Sequence, residues 1–383
     1  MRQGRFVFCL LISCGLLTHA AASGNWIRPK DADSPLIWGR SDGLVFGLPS
    51  RGGMRGPRGV IRVGVANQAT GAPELVNFIA VEPVALGPGP RVGRMGFSEL
   101  EMSRLDPGER GKRLWVSGDA RGELISLPAG PHPKTQLGGA LSLPASPGAE
   151  QLTVRIEVEP FTGNGVHVLL VARMTSTRPE EVEFSVHHHE DSAPVEELTL
   201  TATMGNYERL RLLWLKDGIV NARELYAGYQ GSGFVERENY PLEEMLRTGD
   251  GDAITLCTTD EDDPAKVEVA GAPGWTYRPV KLTQYWRVAA GHIQPDLRVR
   301  VNGRRSYWAS SLSIPGGLAF ENFEVRQRYV PGQVFVFGLS SNAPGQMPPK
   351  IAPLPPGKNR DDQRGVRAGS GQGGLGANRI AGT

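Results

Sequence analysis

Residues 181 to 215 alternate apolar and polar side chains at the two-residue spacing of a half-buried strand. In EVEFSVHHHEDSAPVEELTLTATMGNYERLRLLWL, Val182, Phe184, Val186 and His188 fall on one face, and Glu183, Ser185, His187 and His189 on the other. The first face is apolar; the second is chemically equipped. Leu198, Leu200 and Ala202 alternate in the next run, and Leu210, Leu212 and Trp214 in the one after, with a tight Met204-Gly205-Asn206-Tyr207 turn between them. Asp217-Gly218 then favours a hairpin turn.

Upstream, Leu152, Val154, Ile156 and Val158 alternate with Arg155, Glu157 and Glu159, Gly163-Asn164-Gly165 predicts a turn, and Val166 to Arg173 returns as a strand. Five strands follow one another with short connections, which predicts antiparallel order, because a parallel crossover needs a dozen or more residues. Earlier still, Val60 to Val65 alternates, and Leu75 to Val84 is a nearly unbroken apolar strand. Glu82 shares the parity of Phe78 and Ala80, so it is either a partnered structural acid or a functional one with a raised pKa.

Later in the chain Leu282, Gln284, Trp286 and Val288 oppose Thr283, Tyr285 and Arg287. Leu297 to Val301 leads into Asn302-Gly303, a strong hairpin signal, with Tyr307 and Trp308 on the returning strand. Leu318 to Tyr329 and Val334 to Leu339 complete the strand runs, while Ala222 to Leu246 reads as helical or irregular, a decorated loop over one end of the sheet. Ser98-Glu99-Leu100-Glu101 has the capping-box spacing that opens a short helix, which explains Glu101 as a cap. The fold class expected is all-β: a mostly antiparallel, supersandwich-like β-sandwich over residues 60–340, with few short helices and an extended lead-in over 25–59.

Composition sharpens this picture at several points. The 50 Gly and 30 Pro recur between apolar runs, which favours many short strands. The 42 basic and 40 acidic side chains nearly cancel, which argues against nucleic acid as a partner. Residues 1–24 read as a secretion signal, with Arg2 and Arg5 ahead of the apolar run Phe6 to Leu17 and small residues Ala20 to Ala22 at the cleavage point, so the expected location is secreted or periplasmic. Leu11-Ile12-Ser13-Cys14-Gly15 is similar to a lipoprotein box and offers lipid anchoring through Cys14 as the alternative. Nothing later is long and apolar enough to span a bilayer. Cleavage near Ala22 leaves Cys257 alone, excluding an intramolecular disulfide and predicting a buried, inert thiol. Beyond Ser340 apolar periodicity gives way to Pro, Gly, Gln and Arg, which predicts a disordered tail over 341–383.

Candidate chemistry sits in three places. His187 and His189 project from one strand face about 7 Å apart, a spacing suited to one metal or one sugar ring. Glu183, Glu190 or Asp191 would supply the further ligand that zinc needs; a solvated polar face, with His188 a hydrogen-bonded core residue, is the structural alternative. Aromatic residues beside arginines form the second group: Tyr207 with Arg209, Tyr285-Trp286-Arg287, and Tyr307-Trp308 after Arg304-Arg305. Rings stack on sugar faces and arginine forks bind carboxylates, although Trp286 and Trp308 also suit a core. Third, Glu321 has the parity of Phe323 and Val325, which carries it toward the apolar side and suits a general acid or base, or a buried ion pair. The acidic run Asp260 to Asp263 lacks the alternate ligands and glycine of a calcium loop and is expected as a solvated turn.

The run of paired strands resembles the galactose-mutarotase-like β-supersandwich proteins over roughly residues 60–340. In that superfamily mid-chain histidines and a late glutamate act on sugars, so the resemblance implies His187 or His189 and Glu321 as the nearest equivalents. NFIAVEP, TATMGN and PGGLAFENFE also look like parts of an uncharacterised secreted bacterial family. The expectation is therefore an exported protein that acts on or binds saccharides, with acidic polysaccharide fragments preferred. As an enzyme it would use His187, His189, Tyr285, Arg287 and Glu321 for catalysis and Tyr207, Arg209, Trp286, Tyr307 and Trp308 for substrate. Two alternatives stand beside it: a noncatalytic glycan- or cell-surface-binding module, and a metal-dependent hydrolase centred on His187 and His189. The main reading assigns no metal and no cofactor.

Overall fold

Val182, Phe184 and Val186 are fully buried between two β-sheets, as their alternation requires, on a strand that runs through the interior of one sheet. The computed structural model describes residues 25–48, 61–85, 113–127, 148–161, 164–203, 205, 207–262, 275–277, 281–307, 311–347 and 351. The secretion-signal stretch, the Ser98 capping box, Trp308 and the chain beyond 351 lie outside them.

The first sheet has the order β1 (Trp26–Ile27), β2 (Ile37–Arg40), β3 (Leu44–Gly47), β4 (Ile61–Ala66), β5 (Pro73–Ala85), β11 (Val195–Thr203), β20 (Ala319–Arg328), β19 (Arg298–Arg304) and β14 (Glu238–Pro241), with β17 (Thr276–Tyr277) paired to β5 in parallel. The second has the order β13 (Gly218–Asn221), β12 (Leu210–Leu215), β16 (Ala253–Thr259), β18 (Thr283–Val288), β21 (Val334–Ser340), β10 (Arg178–His188), β9 (Val168–Thr175), β8 (Glu150–Val158) and β6 (Leu114–Val116); β15 (Leu246–Arg247) joins β16 and β7 (Glu123–Ser126) joins β8. The fold is thus the expected all-β, mostly antiparallel sandwich. Among the described residues no helix is long and apolar enough to cross a membrane.

The interior is apolar with a few polar ties. Ile79, Leu198, Leu200, Phe323, Val325 and Val299 of the first sheet and Val154, Leu170, Phe184, Trp286 and Phe337 of the second belong to one buried cluster. Asn77 Nδ2 donates to Gln284 Oε1 at 2.7 Å from one sheet to the other, and Trp286 Nε1 donates to the Phe323 carbonyl at 3.0 Å. A buried amide without such a partner would cost about 1–3 kcal/mol, so these bonds hold the sheets in a fixed relation.

Four local readings differ in the structure. The strands read as following one another in antiparallel order are not all neighbours: β10 lies in the second sheet, β11 in the first, and β12 and β13 in the second again. Short connections preserve antiparallel order but say nothing about which sheet the next strand joins. Asn302-Gly303 is no hairpin turn; β19 runs through it to Arg304, and the register against β20 shifts between these two residues. A Cβ on Gly303 would lie 2.5 Å from the Ala319 carbonyl oxygen, so glycine serves a β-bulge with close backbone approach. The lead-in contributes β1, β2 and β3, with Trp38, Leu44 and Val45 fully buried. Beyond Ser340 the described chain is anchored at intervals, because Pro344 and Met347 are buried, Met347 in a cluster with Leu246 and Tyr285, and Ile351 bridges Thr248.

Register decides which side chains meet on the outer face of the second sheet. Tyr285, Gly338 and Glu181 form one cross-strand row; Arg287, Val336, Glu183 and Arg173 form the next. Trp115, Glu157, Leu169 and His187 form another. These rows carry the candidate chemistry.

Candidate functional site

His187 and His189 do share a face, but the groups they meet come from neighbouring strands. The His189 amide donates to the His167 carbonyl at 3.0 Å, extending the β9–β10 ladder beyond its last pair and setting the two imidazoles side by side. Their rings stack with centroids 4.0 Å apart and planes at 27°. His189 Nε2 lies 2.9 Å from Glu157 Oε2, and His167 Nδ1 lies 2.9 Å from Asp191 Oδ1. The bond from His167 is the chief reason that the Asp191 carboxyl sits below its ordinary range. Glu157, His167 and His189 are all half-buried, and each offers one ligand atom within 4.8 Å of the others. These three residues, and not His187 with His189, are the group able to hold a metal.

Trp115 belongs to the same place. It lies directly opposite Glu157 in the β6–β8 pairing and stays 41% exposed. Directly opposite side chains have Cβ atoms about 4.5–5.5 Å apart, so the indole and the carboxylate are immediate neighbours. Trp38 and Trp286, by contrast, are fully buried.

His187 Nε2 lies 3.1 Å from Ser185 Oγ. Burial first, then the charges of Arg173 and His188, hold its imidazole below the ordinary value. His292 on a neighbouring turn is also lowered, chiefly by burial, with Glu183 pulling it up and Arg173 pushing it down. The Arg173–Glu183 pair at 2.5 Å is buried, so Glu183 is committed to it. His188 is exposed at the strand end and is hydrogen-bonded, its Nδ1 lying 3.2 Å from Tyr329 Oη, so the structural alternative holds for its hydrogen bond and not for its place in the core.

Tyr285 and Arg287 are on this face too, but deep within it. Arg287 Nη2 and Nε reach Glu181 at 2.7 and 3.3 Å, and Nη1 reaches Asp252 at 2.7 Å. The Tyr285 hydroxyl donates to Glu181 Oε1 at 3.0 Å. Burial, then the charge of Glu181, raises that phenol well above its ordinary value. A tyrosine so placed is no base near neutrality, and this guanidinium already holds its carboxylates. Arg287 is also remote from His189: their rows are six residues apart along β10, roughly 20 Å at about 3.3 Å per residue.

The remaining expected residues form other settings. Trp286 is fully buried between the sheets and cannot offer its ring to a ligand. Glu321 is buried in the first sheet beside the β19–β20 bulge, where its carbonyl accepts from the Gly205 amide at 2.9 Å, so it does not join the histidines of the second sheet. Tyr207 and Tyr307 stack at 5.3 Å with planes at 9°, both buried. Arg209, at a left-handed φ of 51°, pairs with Glu261. Arg211 reaches Asp260 at 3.0 Å and Glu261 at 2.5 Å, and Arg223 pairs with Asp260. The first half of the acidic run is therefore an arginine anchor and not a solvated turn.

No family model matches the chain, and no curated protein matches it. The residues that sequence reasoning passes over are Trp115, Glu157, His167, Arg173 and His292. A signal existed for two of them: aligning the two arms of the 151–173 hairpin puts Glu157 and His167 on one face. Trp115 sits in a run of three strand residues, too short for periodicity to speak.

Proposed function

We infer that this protein handles saccharides, and that it does so on the outer face of the second sheet where Trp115, Glu157, His167 and His189 meet. The observation that carries this reading is the exposed Trp115 indole in direct register with Glu157, beside the stacked histidines. A sugar presents an apolar C–H face and an edge of hydroxyls. An exposed indole suits the first, through the electron-rich face of its ring. Carboxylate and imidazole groups suit the second, the carboxylate as acceptor and the imidazoles as donor or acceptor. His187, in the same cross-strand row as Trp115 and Glu157, adds a partly exposed imidazole that the buried Ser185 hydroxyl holds from behind at 3.1 Å. The reading draws on the strand-pattern resemblance to the supersandwich proteins, and the signal-like residues 1–24 favour an exported location.

The reading also accounts for the chemistry available. His189 is held by Glu157 at 2.9 Å, an imidazole oriented by a carboxylate, which suits proton transfer at a sugar hydroxyl. Binding comes first in this account, and any turnover would use that pair. The test is a thermal-shift screen against neutral and uronic-acid oligosaccharides in the presence of a chelator, since a ligand of the native state raises its melting temperature. A rise with one saccharide class that is absent in Trp115→Ala supports the reading. No rise with any saccharide overturns it.

A further inference from the structure

We propose that Glu157, His167 and His189 form a binding site for a divalent transition metal ion of the zinc type, with Asp191 as the outer carboxylate that orients His167. The inference rests on the geometry of these four residues and does not depend on saccharide binding.

The ligand set is the first argument. Two imidazoles and one carboxylate are the donors of catalytic zinc centres, which use three protein ligands and keep a fourth position for water or substrate. Nitrogen ligands exclude the hard cations calcium and magnesium, which take oxygen. The three donor atoms lie within 4.8 Å of one another, and His189 Nε2 and Glu157 Oε2 are already at 2.9 Å. Bonds of about 2.1 Å in a tetrahedral site put neighbouring donors about 3.4 Å apart. Closing the cluster therefore requires side-chain rotation and no movement of strands.

The second argument is support from behind. Asp191 holds His167 Nδ1 at 2.9 Å, which leaves Nε2 as the nitrogen with the free lone pair. A carboxylate on the far nitrogen of a metal-bound histidine fixes its tautomer and raises its basicity. The backbone is equally fixed, with His189 and His167 joined by a ladder hydrogen bond and Glu157 inside β8.

The third is the pairing itself. Two imidazoles stacked at 4.0 Å with planes at 27° stand close enough for one nitrogen of each to serve the same ion. In the metal-free protein a single proton joins His189 to Glu157. A metal ion takes the place of that proton and gives His167 a partner on its second nitrogen. Trp115, which stands opposite Glu157, is a neighbour of the site.

The experiment uses the purified protein, stripped with chelator and without sugar. It is titrated with Zn²⁺ by calorimetry and with Co²⁺, whose visible bands report a four-coordinate site. One equivalent should bind. Glu157→Gln, His167→Ala and His189→Ala should each weaken binding at least 100-fold and abolish the cobalt bands, while His188→Ala, at the exposed neighbour, should leave both unchanged. Melting temperatures in chelator check that each variant is folded. Should a ligand variant prove unstable, Asp191→Asn touches no donor atom, and it should weaken binding about 10–100-fold while keeping the one-equivalent stoichiometry. Absence of a one-equivalent site overturns the proposal, as does wild-type affinity in Glu157→Gln or Asp191→Asn. Either failure leaves the saccharide reading standing, because that screen is run in chelator.

Discussion

The phenol ring of Tyr285 lies across the backbone of Gly338 to reach the carboxylate of Glu181 on the strand beyond, at 3.0 Å. A Cβ placed on Gly338 would sit 2.0 Å from the Tyr285 ring. Gly338→Ala must therefore displace the ring and break its bond to a buried carboxylate. The expected loss is about 3 kcal/mol, the sum of overpacking and an unmet buried partner. Urea denaturation measures it, and in a Tyr285→Ala background the same substitution should cost much less, since the two residues act as a unit.

Arg287 is the counter-charge for Glu181, with both groups buried and the guanidinium also on Asp252. Arg287→Met leaves Glu181 with Arg178, 3.4 Å away, as a cation, so the loss should fall at or below the lower end of the about 3–5 kcal/mol that breaking a buried pair costs. The double variant Glu181→Gln/Arg287→Met should recover part of that loss in the same denaturation experiment. Saccharide affinity of the folded Arg287→Met protein should stay at the wild-type level. A selective loss of affinity would return Arg287 to the binding site.

His292 makes stability depend on acid. Its folded pKa lies below the usual 6.5, mainly through burial, with Arg173 pushing down and Glu183 pulling up. The unfolded chain therefore binds the proton more readily, so the contribution of this group is complete above about 6.5 and is lost as pH falls through the folded value. The urea midpoint should drop between pH 7.5 and 5.5, and His292→Asn should flatten that part of the profile. Identical profiles for the two proteins would remove His292 from the account.

Cys257 lies at the centre of β16, fully buried, and burial raises its thiol well above the ordinary value. A thiol reagent should not label the native protein on the timescale in which the urea-unfolded chain reacts completely. Fast native labelling would show that β16 opens locally.

How much of this was legible depends on the range of each signal. Periodicity is local, so the faces of Val182, Phe184, Val186 and of Thr283, Tyr285, Arg287 could be read from single strands. The burial of Cys257 and Trp286 could be anticipated in the same way. Partnership is not local. His189 meets Glu157 and His167, 32 and 22 positions earlier in the chain, because β8, β9 and β10 are neighbours in one sheet. Glu183, near in sequence, is taken by Arg173 instead. Asn302-Gly303 shows the opposite error, a strong local turn signal overruled by the bulge that β20 imposes. Asp260 and Glu261 read as solvated from composition, yet Arg209, Arg211 and Arg223 converge on them from other elements.

Trp115 is the platform of the proposed saccharide site. The most direct test is calorimetric titration of the saccharide that gives the largest thermal shift into wild-type protein and Trp115→Ala, in chelator. The Trp115 indole is partly packed at 41% exposure, so the variant should stay folded in chelator with a modestly lower melting temperature. Its affinity should fall about tenfold, equivalent to about 1.4 kcal/mol of lost stacking. Undiminished affinity in Trp115→Ala, with the loss appearing instead in Tyr207→Phe or Tyr307→Phe, would contradict the account and move the site to the other end of the sandwich.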